Sequence, residues 1–325
     1  MSSIQEIKHR IKAVSNTRQI TKAMELVSAT KMRKSQEIAL LSRPYAIEAL
    51  RILGELKAKS EYLPEIMQER EVKKSAFVLV ASDRGLAGAF NANVFRAFEK
   101  WVMQLRKEND SSIRDSQISM PLVDWHHTAF IAVGKKAEEY LMRNGIEPHQ
   151  SFKGFGDYIE PEETWPLTKL LVDGYLEHEW DEVTVISMHF RTTLKQEVMI
   201  HKVLPIKPEL VREMIKEVVP EYGRYSETGK NGINGNNNDF EYKIEPDPKT
   251  ALDRLAPDLL ETVLYDLILE ANASEHSARM VAMKNASENA EELHEELEIE
   301  YNKSRQAGIT REISEIVGGA EALQI

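Results

Sequence analysis

The 325-residue sequence contains no cysteine. Disulfide bonds, thiolate catalysis and Cys-ligated zinc or iron–sulfur sites are therefore excluded, and the fold must be stable without covalent cross-links. Basic residues are outnumbered, since 42 Lys and Arg face 53 Asp and Glu, for a formal net charge of −11. Because binding to a phosphate backbone requires a basic face, this balance argues against nucleic acid as a partner.

Long apolar runs are also missing. No window approaches about 18 uninterrupted apolar residues, so no membrane-spanning helix is predicted. The first residues, MSSIQEIKHRIKAV, have neither an apolar core nor a small-residue cleavage site, so no secretion signal is predicted. We expect any membrane contact to be made through a partner or a surface.

Glycine and proline are absent from two long stretches, residues 1–43 and 258–307. Both stretches are predicted to be long helices. At 1.5 Å per residue they would extend roughly 65 and 75 Å, so they should project beyond a small domain.

Apolar residues follow a helical spacing of three and four in both stretches. In the first stretch, and after a phase slip, these residues are Ile4, Ile7, Ile11, Val14, Ile20, Met24 and Val27. In the second stretch and beyond it they are Met283, Ala286, Ala290, Leu293, Leu297, Ile309, Ile313, Ile316, Ala320 and Leu323.

The two stretches carry opposite charges. Residues 1–34 contain eight Lys and Arg against two Glu, whereas residues 285–301 contain seven Glu and neither Lys nor Arg. Opposite charges beside two narrow apolar seams predict an antiparallel coiled coil of the two chain ends, if a compact domain joins their far ends. The alternative is that both are ordinary amphipathic helices with solvated faces.

The middle of the chain alternates between strand and helix patterns. Segments rich in Val, Ile and Phe predict strands at 75–83, 129–134, 182–190 and 196–206. Helical patterns separate them at 91–107, 135–143 and 163–178. The fold class is therefore α/β, with a Rossmann-like parallel sheet whose last two strands form an edge hairpin, plus the long coiled coil.

This pattern divides the chain into four parts. They are an N-terminal coiled-coil helix at 1–58, a Rossmann-like domain at 74–206, a linker at 207–245 and a C-terminal coiled-coil helix at 246–325. Polar stretches at 107–121 and 223–239 interrupt the order, and the second is expected to be a flexible or disordered insert.

The segment SDRGLAGAFN at 82–91 follows a strand and opens a helix, where a phosphate-binding turn would lie. It has Gly85 and Gly88 but no third glycine, and no GK[ST], so the nucleotide fingerprints are incomplete. A tight turn held by Asp83 and Arg84 is the preferred interpretation. A Rossmann-type enzyme with helical arms remains an alternative that would need the complete fingerprint.

Histidines offer no convincing site. His126 and His127 are adjacent beside Trp125, so on a strand they would point to opposite faces, and no third ligand stands at a fixed offset. His276 has no Ser or Cys partner pattern. No catalytic residue, metal or cofactor is predicted.

Three separated motifs resemble one family. They are SDRGLAGAFN at 82–91, NTRQITKAMELVSATKMRK at 16–34, and NASEHSARMVAMKNASENAEEL at 272–293 with YNKSRQAGITREISEIVGGAEAL at 301–323. Together, and in this order, they resemble the gamma subunit of the F-type ATP synthase of bacterial type.

The resemblance implies a non-catalytic rotor in the central stalk. Its partners would be the alpha, beta and epsilon subunits and the membrane c-ring, whose proton-driven rotation it would couple to ATP synthesis or hydrolysis at beta-subunit sites. It would be a peripheral protein at the cytoplasmic face of the cell membrane, touching the membrane only through the c-ring. A coiled-coil scaffold or a rotor paralogue outside ATP synthase is the alternative.

The resemblance also assigns contact residues. Rotor–stator contacts would fall on Met24, Arg279, Arg305, Gln306, Thr310 and Glu312. An apolar upper bearing would contain Ile316, Val317 and Leu323. The foot, near the c-ring and epsilon, would include Lys31, Arg33, Lys34, Tyr242 and Glu245.

Overall fold

The structure is a computed structural model that describes residues 4–59, 62–109, 128–156, 158–208 and 244–322. The polar insert at 223–239, residues 110–121 of the other interruption, and Trp125 to His127 lie outside these ranges. The chain divides into two compact units. Unit 1 contains Met1–Ser28 and Arg279–Ile325, and unit 2 contains Ala29–Ala278.

Two long helices begin and end the described chain. Helix α1 spans Ile4–Lys59 and continues through Pro44, and helix α5 spans Pro248–Ala322 and contains Pro257. Long helices at both ends are therefore confirmed, and both exceed the stretches without glycine or proline. Each helix contributes one segment to each unit, so the boundary between the units falls within both helices rather than at their ends.

Unit 2 is built on one five-stranded sheet. The strands are β1 (Ser75–Val80), β2 (Thr128–Val133), β3 (Gln150–Phe152), β4 (Glu182–Phe190) and β5 (Gln196–Leu204). Their order is β3-β2-β1-β4-β5, with β1 to β4 parallel and β5 antiparallel to β4. The Rossmann-like sheet with an edge hairpin is confirmed. Strand β3 was not predicted, because three residues are too few to show a strand pattern.

Helices cover both faces of the sheet, which is why the central strands are apolar throughout rather than alternating. Helices α2 (Phe90–Asn109) and α3 (Lys135–Arg143) share one core with Phe77, Leu79 and Phe130. The other core contains α4 (Pro161–Leu176), a short 3-10 turn at Glu65–Met67, and the unit 2 segments of α1 and α5.

Within the described ranges, no helix combines the length and apolar character needed to cross a membrane.

Candidate functional site: the paired terminal helices

Unit 1 is an antiparallel pair of helical segments. The hydroxyl of Thr21 lies 2.7 Å from that of Ser287. Farther towards the chain ends, a Cβ added to Gly308 would lie 3.6 Å from the Cδ1 of Ile4. As residue numbers fall along α1 they rise along α5, so the segments run in opposite directions. The predicted antiparallel pairing of the two chain ends is confirmed.

The seam of this pair differs from the predicted one. Along the unit 1 segment of α1, a seven-residue repeat of buried or half-buried positions contains Ile7, Ile11, Val14, Thr21 and Ser28. Ser15, Glu25 and the predicted seam residue Met24 are half-buried beside it. Ile20 and Val27, predicted to continue the seam after a phase slip, are 60% and 55% exposed. No slip occurs, because the seven-residue repeat continues through the two hydroxyl residues.

Helix α5 shows the same change. From residue 283 onward, positions that alternate by four and three residues are buried or half-buried: Met283, Ser287, Ala290, His294, Leu297, Tyr301, Ser304 and Gly308. Leu293, predicted in the seam, is 46% exposed, and His294 takes the seam position. Ala286 is half-buried beside Ser287. The seam is therefore narrower and more polar than the apolar pattern predicted.

The missed seam residues had a signal in the sequence. Hydroxyl side chains recur every seven residues along α1, at Thr21, Ser28, Ser35 and Ser42. In unit 2, the hydroxyl of Ser42 donates to the carboxylate of Asp266 on α5 at 2.5 Å, so a second polar pair follows the same repeat. Buried polar groups at seam positions fix the register of paired helices, usually at some cost in stability.

The opposite charges of the two segments contribute little to the pairing. Arg18 on α1 and Glu291 on α5 form an ion pair at 2.7 Å, but their side chains are 46% and 51% exposed. An exposed pair of this kind contributes roughly 0–1 kcal/mol. The other six Glu side chains of residues 285–301 are also exposed, as expected for a solvated face.

Beyond the seam, α5 carries an exposed apolar stripe. Ile309, Ile313, Ile316 and Val317 are spaced as one helix face and are 48–72% exposed. From 309 to 318 every residue of α5 is exposed. An apolar face of this extent is typical of a surface that binds another protein.

The predicted rotor–stator residues fall into two classes of exposure. Arg305, Gln306, Thr310 and Glu312 are exposed on α5, whereas Met24 on α1 is half-buried. Arg279 is only 8% exposed, so its side chain serves mainly contacts within the chain. The bearing residues Ile316 and Val317 belong to the exposed stripe, and Leu323 lies outside the described residues.

The predicted foot residues come from two separate segments of the chain. In unit 2, Arg33 and Lys34 are exposed and Lys31 is half-buried on α1, and Glu245 is exposed just before α5. Tyr242 lies outside the described residues.

The turn after β1 is held by the chain itself. The carboxylate of Asp83 accepts hydrogen bonds from the backbone N–H groups of Lys135 and Gly154, both at 2.9 Å. The Arg84 carbonyl accepts from the Ser82 hydroxyl at 2.7 Å. Asp83 thereby connects the loops that follow β1, β2 and β3, which confirms the tight turn. Nowhere in the described ranges do three His, Asp or Glu side chains cluster as metal ligands.

Comparisons with known proteins agree with this architecture. A family model described as ATP synthase matches residues 3–323. The ATP synthase gamma chain of Symbiobacterium thermophilum is 39% identical, over 98% of this chain and 97% of that relative. The ATP synthase gamma chain of Chlorobium phaeobacteroides is 35% identical, over 100% of this chain and 99% of that relative.

Solved structures share the fold. A chain from the Euglena gracilis mitochondrial ATP synthase (OSCP/F1/c-ring) aligns with a TM-score of 0.59 at 15% identity, covering 98% of this chain and 94% of that one. A chain from the central stalk and c-ring of the Tetrahymena thermophila enzyme gives a TM-score of 0.52 at 20% identity, covering 82% and 99%. The match to the family model and the full-length relatives above 30% identity show that this chain belongs to the ATP synthase gamma chain family.

Proposed function

We propose that this chain is the non-catalytic rotor of an ATP synthase central stalk. It couples proton-driven rotation of a membrane c-ring to ATP synthesis, or hydrolysis to reverse rotation, at sites on the beta subunits. The observation that carries the proposal is the antiparallel helix pair whose α5 segment extends into an exposed apolar stripe, Ile309 to Val317. Membership of the gamma chain family supports the same role.

A single helix pair supplies the asymmetry that the mechanism needs. Three identical catalytic sites favour different conformations only if something contacts each of them differently. The two helices differ in charge, because the α1 segment carries mostly Lys and Arg whereas residues 285–301 of α5 carry seven exposed Glu. Turning such a shaft shifts which conformation each site favours, through the difference in contact free energy. Because coupling of this kind is reciprocal, ATP hydrolysis drives the shaft backwards.

The contacts with the alpha and beta subunits fall on the exposed α5 residues and on α1. Arg305, Gln306, Thr310 and Glu312 are free to face a surrounding ring, and Met24 lies at the side of the seam. Arg279 supports the chain's own packing beside these contacts. The apolar residues Ile316, Val317 and Leu323 turn within an apolar bearing, where they avoid directional bonds that would resist rotation.

The basic run and the start of α5 contact the membrane-facing partners. Lys31, Arg33, Lys34, Tyr242 and Glu245 belong to this foot, next to the epsilon subunit and the c-ring. The chain is then peripheral at the cytoplasmic face of the membrane, which it reaches only through the c-ring. It needs no cofactor.

Single-molecule rotation tests the proposal directly. Because the chain lacks cysteine, Leu194→Cys gives one thiol on the exposed turn between β4 and β5, where Leu194 is 83% exposed. A bead is attached there after reconstitution with alpha and beta subunits fixed to a surface. We expect stepwise rotation in one direction when ATP is added, and no ATPase activity from the chain alone. A bead that stays at a fixed angle while the complex hydrolyses ATP would contradict the proposal.

The apolar stripe provides a matched comparison. Ile316→Asp alters a side chain that is 72% exposed, so the folded chain itself should be unaffected. Burial of an Ile side chain contributes about 1.5–3 kcal/mol, so affinity for the alpha–beta complex should fall roughly tenfold or more. Ser314→Asp, also exposed, places the same charge two residues away and should change affinity much less. Equal losses from both variants would argue against an apolar bearing.

A further inference from the structure

Helix α5 crosses the edge of the sheet within unit 2. Its residues from Leu252 to Ala271 pack in the core that covers one face of the sheet. Ala278, two turns later, packs against the core on the opposite face. The residues between them therefore pass around an edge, and their hydrogen bonds identify which edge it is.

Two of the partners lie where parallel strands end. The Nδ2 of Asn272 donates to the carbonyl of Phe155, in the loop after β3, at 2.5 Å. The Oγ of Ser277 donates to the carbonyl of Thr193, in the turn after β4, at 2.8 Å. Residues 272–277 therefore lie across the carboxyl edge of the sheet.

A buried acid–histidine pair fixes the start of this crossing. The Oε2 of Glu270 lies 2.5 Å from the Nδ1 of His189, the last residue but one of β4. Their side chains are only 8% and 5% exposed. Burial, together with a smaller effect of neighbouring His189, lowers the pKa of His201 on β5 to about 4. His201 is therefore neutral at pH 7.

The crossing segment is unusually polar for a buried helix. Every residue from Glu270 to Ser277 is buried. Six of the eight are polar or charged: Glu270, Asn272, Ser274, Glu275, His276 and Ser277. Burying such groups is unfavourable unless partners replace water. The sheet edge supplies such partners for Glu270, Asn272 and Ser277, so contact with this edge stabilises the buried segment.

The position of the segment coincides with the place where a doubly wound sheet binds ligands. Chain order runs from β1 through β2 to β3 on one side, and then resumes with β4 on the other side of β1. The strand order thus reverses between β1 and β4, and ligands of such sheets bind beyond the carboxyl ends at that point. Here the end of β4 holds His189 and, through it, Glu270.

We propose that residues 270–277 of α5 occupy the ligand crevice of the sheet as an internal polar ligand, and that His189 and Glu270 are the positioning pair that keeps them there. We call the contact of residues 270–277 with the sheet edge the joint. If the chain is the proposed rotor, the joint makes the sheet rotate together with α5 instead of sliding along it. The fold that binds nucleotides in many enzymes here binds its own helix.

Hydrogen exchange of the full-length chain tests the positioning pair. Glu270→Ala leaves the buried His189 without its acceptor, so amides of 266–278 and of the β4–β5 turn should exchange at least tenfold faster. Glu270→Gln retains an acceptor oxygen and should restore most of the protection. The control is Glu197→Ala, which removes an equally charged acceptor of surface ion pairs with Arg191 and Lys195. It should leave exchange in 266–278 unchanged.

Other results would overturn the proposal. Unchanged exchange in Glu270→Ala, or the same increase in Glu197→Ala, would show that the pair does not seat the segment. If Glu270→Ala does not fold, Ser277→Ala serves instead, with a smaller increase of several-fold over the same residues. ADP should not bind the unmodified chain in equilibrium dialysis, and ADP binding that protects the loops after β1 and β4 would show the crevice to be open.

A rotation experiment distinguishes failure of this inference from failure of the proposed function. In the reconstituted complex, a bead at position 194 should follow ATP-driven steps faithfully, and should slip in the Glu270→Ala background. No rotation of the unmodified chain would count against the rotor proposal alone, because the exchange experiment does not depend on it. Faithful rotation with Glu270→Ala would refute the joint.

Discussion

A disulfide across the unit 1 seam would test the pairing of the terminal helices. The oxygens of Thr21 and Ser287 are 2.7 Å apart, so sulfur atoms at these positions need only a small rotation to form a bond of about 2.05 Å. The double variant Thr21→Cys with Ser287→Cys introduces the only two thiols of the chain. We expect them to oxidise readily under mild conditions.

The expected stabilisation follows from the loop that the disulfide closes. If unit 2 stays folded while unit 1 opens, the chain between each cysteine and unit 2 includes residues 22–28 and 279–286. A closed loop of about 15 residues corresponds to about 3 kcal/mol of chain entropy. Opening of unit 1, followed by hydrogen exchange of residues 4–28 and 279–308, should therefore become about 100-fold rarer in the oxidised form.

The assays are thiol titration, hydrogen exchange with and without reductant, and ATP-driven rotation. Rotation should persist after oxidation, since the two helices of the proposed rotor turn as one body. Thr21→Cys with Leu293→Cys is the control, because Leu293 lies six residues away and is exposed. Equal cross-linking in both pairs would refute the seam, and loss of rotation on oxidation would refute the rigid shaft.

Three further outcomes follow from unit 2. Gly174→Ala would place a Cβ against the ring of the buried Trp180, so the free energy of unfolding should fall by about 1–3 kcal/mol. Gly54→Ala places its Cβ where nothing lies within 4 Å, so the free energy of unfolding should rise by about 0.5–1 kcal/mol. Thermal unfolding of the two variants compares these effects. The pKa of His201 is about 4 in the folded chain against 6.5 as its ordinary value, so the unfolded chain binds more protons between these values. Stability should accordingly decrease as pH falls from 6.5 to 4, by roughly 3 kcal/mol, and urea titrations of His201→Gln should show a flatter decrease. Asp83→Ala removes the acceptor of two backbone N–H groups and should cost about 1–3 kcal/mol in the same titrations, while Asp83→Asn, which keeps one oxygen acceptor, should cost less.

The fold could be predicted where a local pattern determines the structure. The absence of glycine and proline located both long helices, and the apolar segments at β1 and β4 stand out because both faces of those strands are covered. Strand β3 could not be predicted, since its three residues are fixed by pairing with β2 rather than by their own sequence. The path of α5 across the sheet edge was also beyond local patterns, because its polar residues indicate an exposed helix unless their distant partners are known.

The candidate site was predicted in part. The antiparallel pairing followed from complementary charge and period, yet the structure shows that Arg18 and Glu291 form only an exposed ion pair. The role of Asp83 in holding the turn after β1 was predicted, because the glycine pattern there is too incomplete for a nucleotide-binding loop and left a tight turn as the preferred interpretation. The individual contact residues came from family resemblance, and their roles remain predictions for the reconstituted complex.

In unit 1, the buried seam and the exposed apolar side chains beside it have different physical roles. A chain selected only for its own stability would place Ile20 and Val27 in the seam and Thr21 and Ser28 outside, because each buried aliphatic side chain contributes about 1.5–3 kcal/mol. The structure shows the reverse, with the hydroxyls buried and the aliphatic side chains more than half exposed. Such a distribution costs the isolated chain stability and is reasonable only if other polypeptides cover the apolar face. The apolar periodicity thus belongs to two surfaces. One is a narrow seam of apolar and hydroxyl side chains, in which the buried hydroxyls fix the helix register. The other is an exposed apolar face that, in the proposed rotor, contacts the alpha and beta subunits.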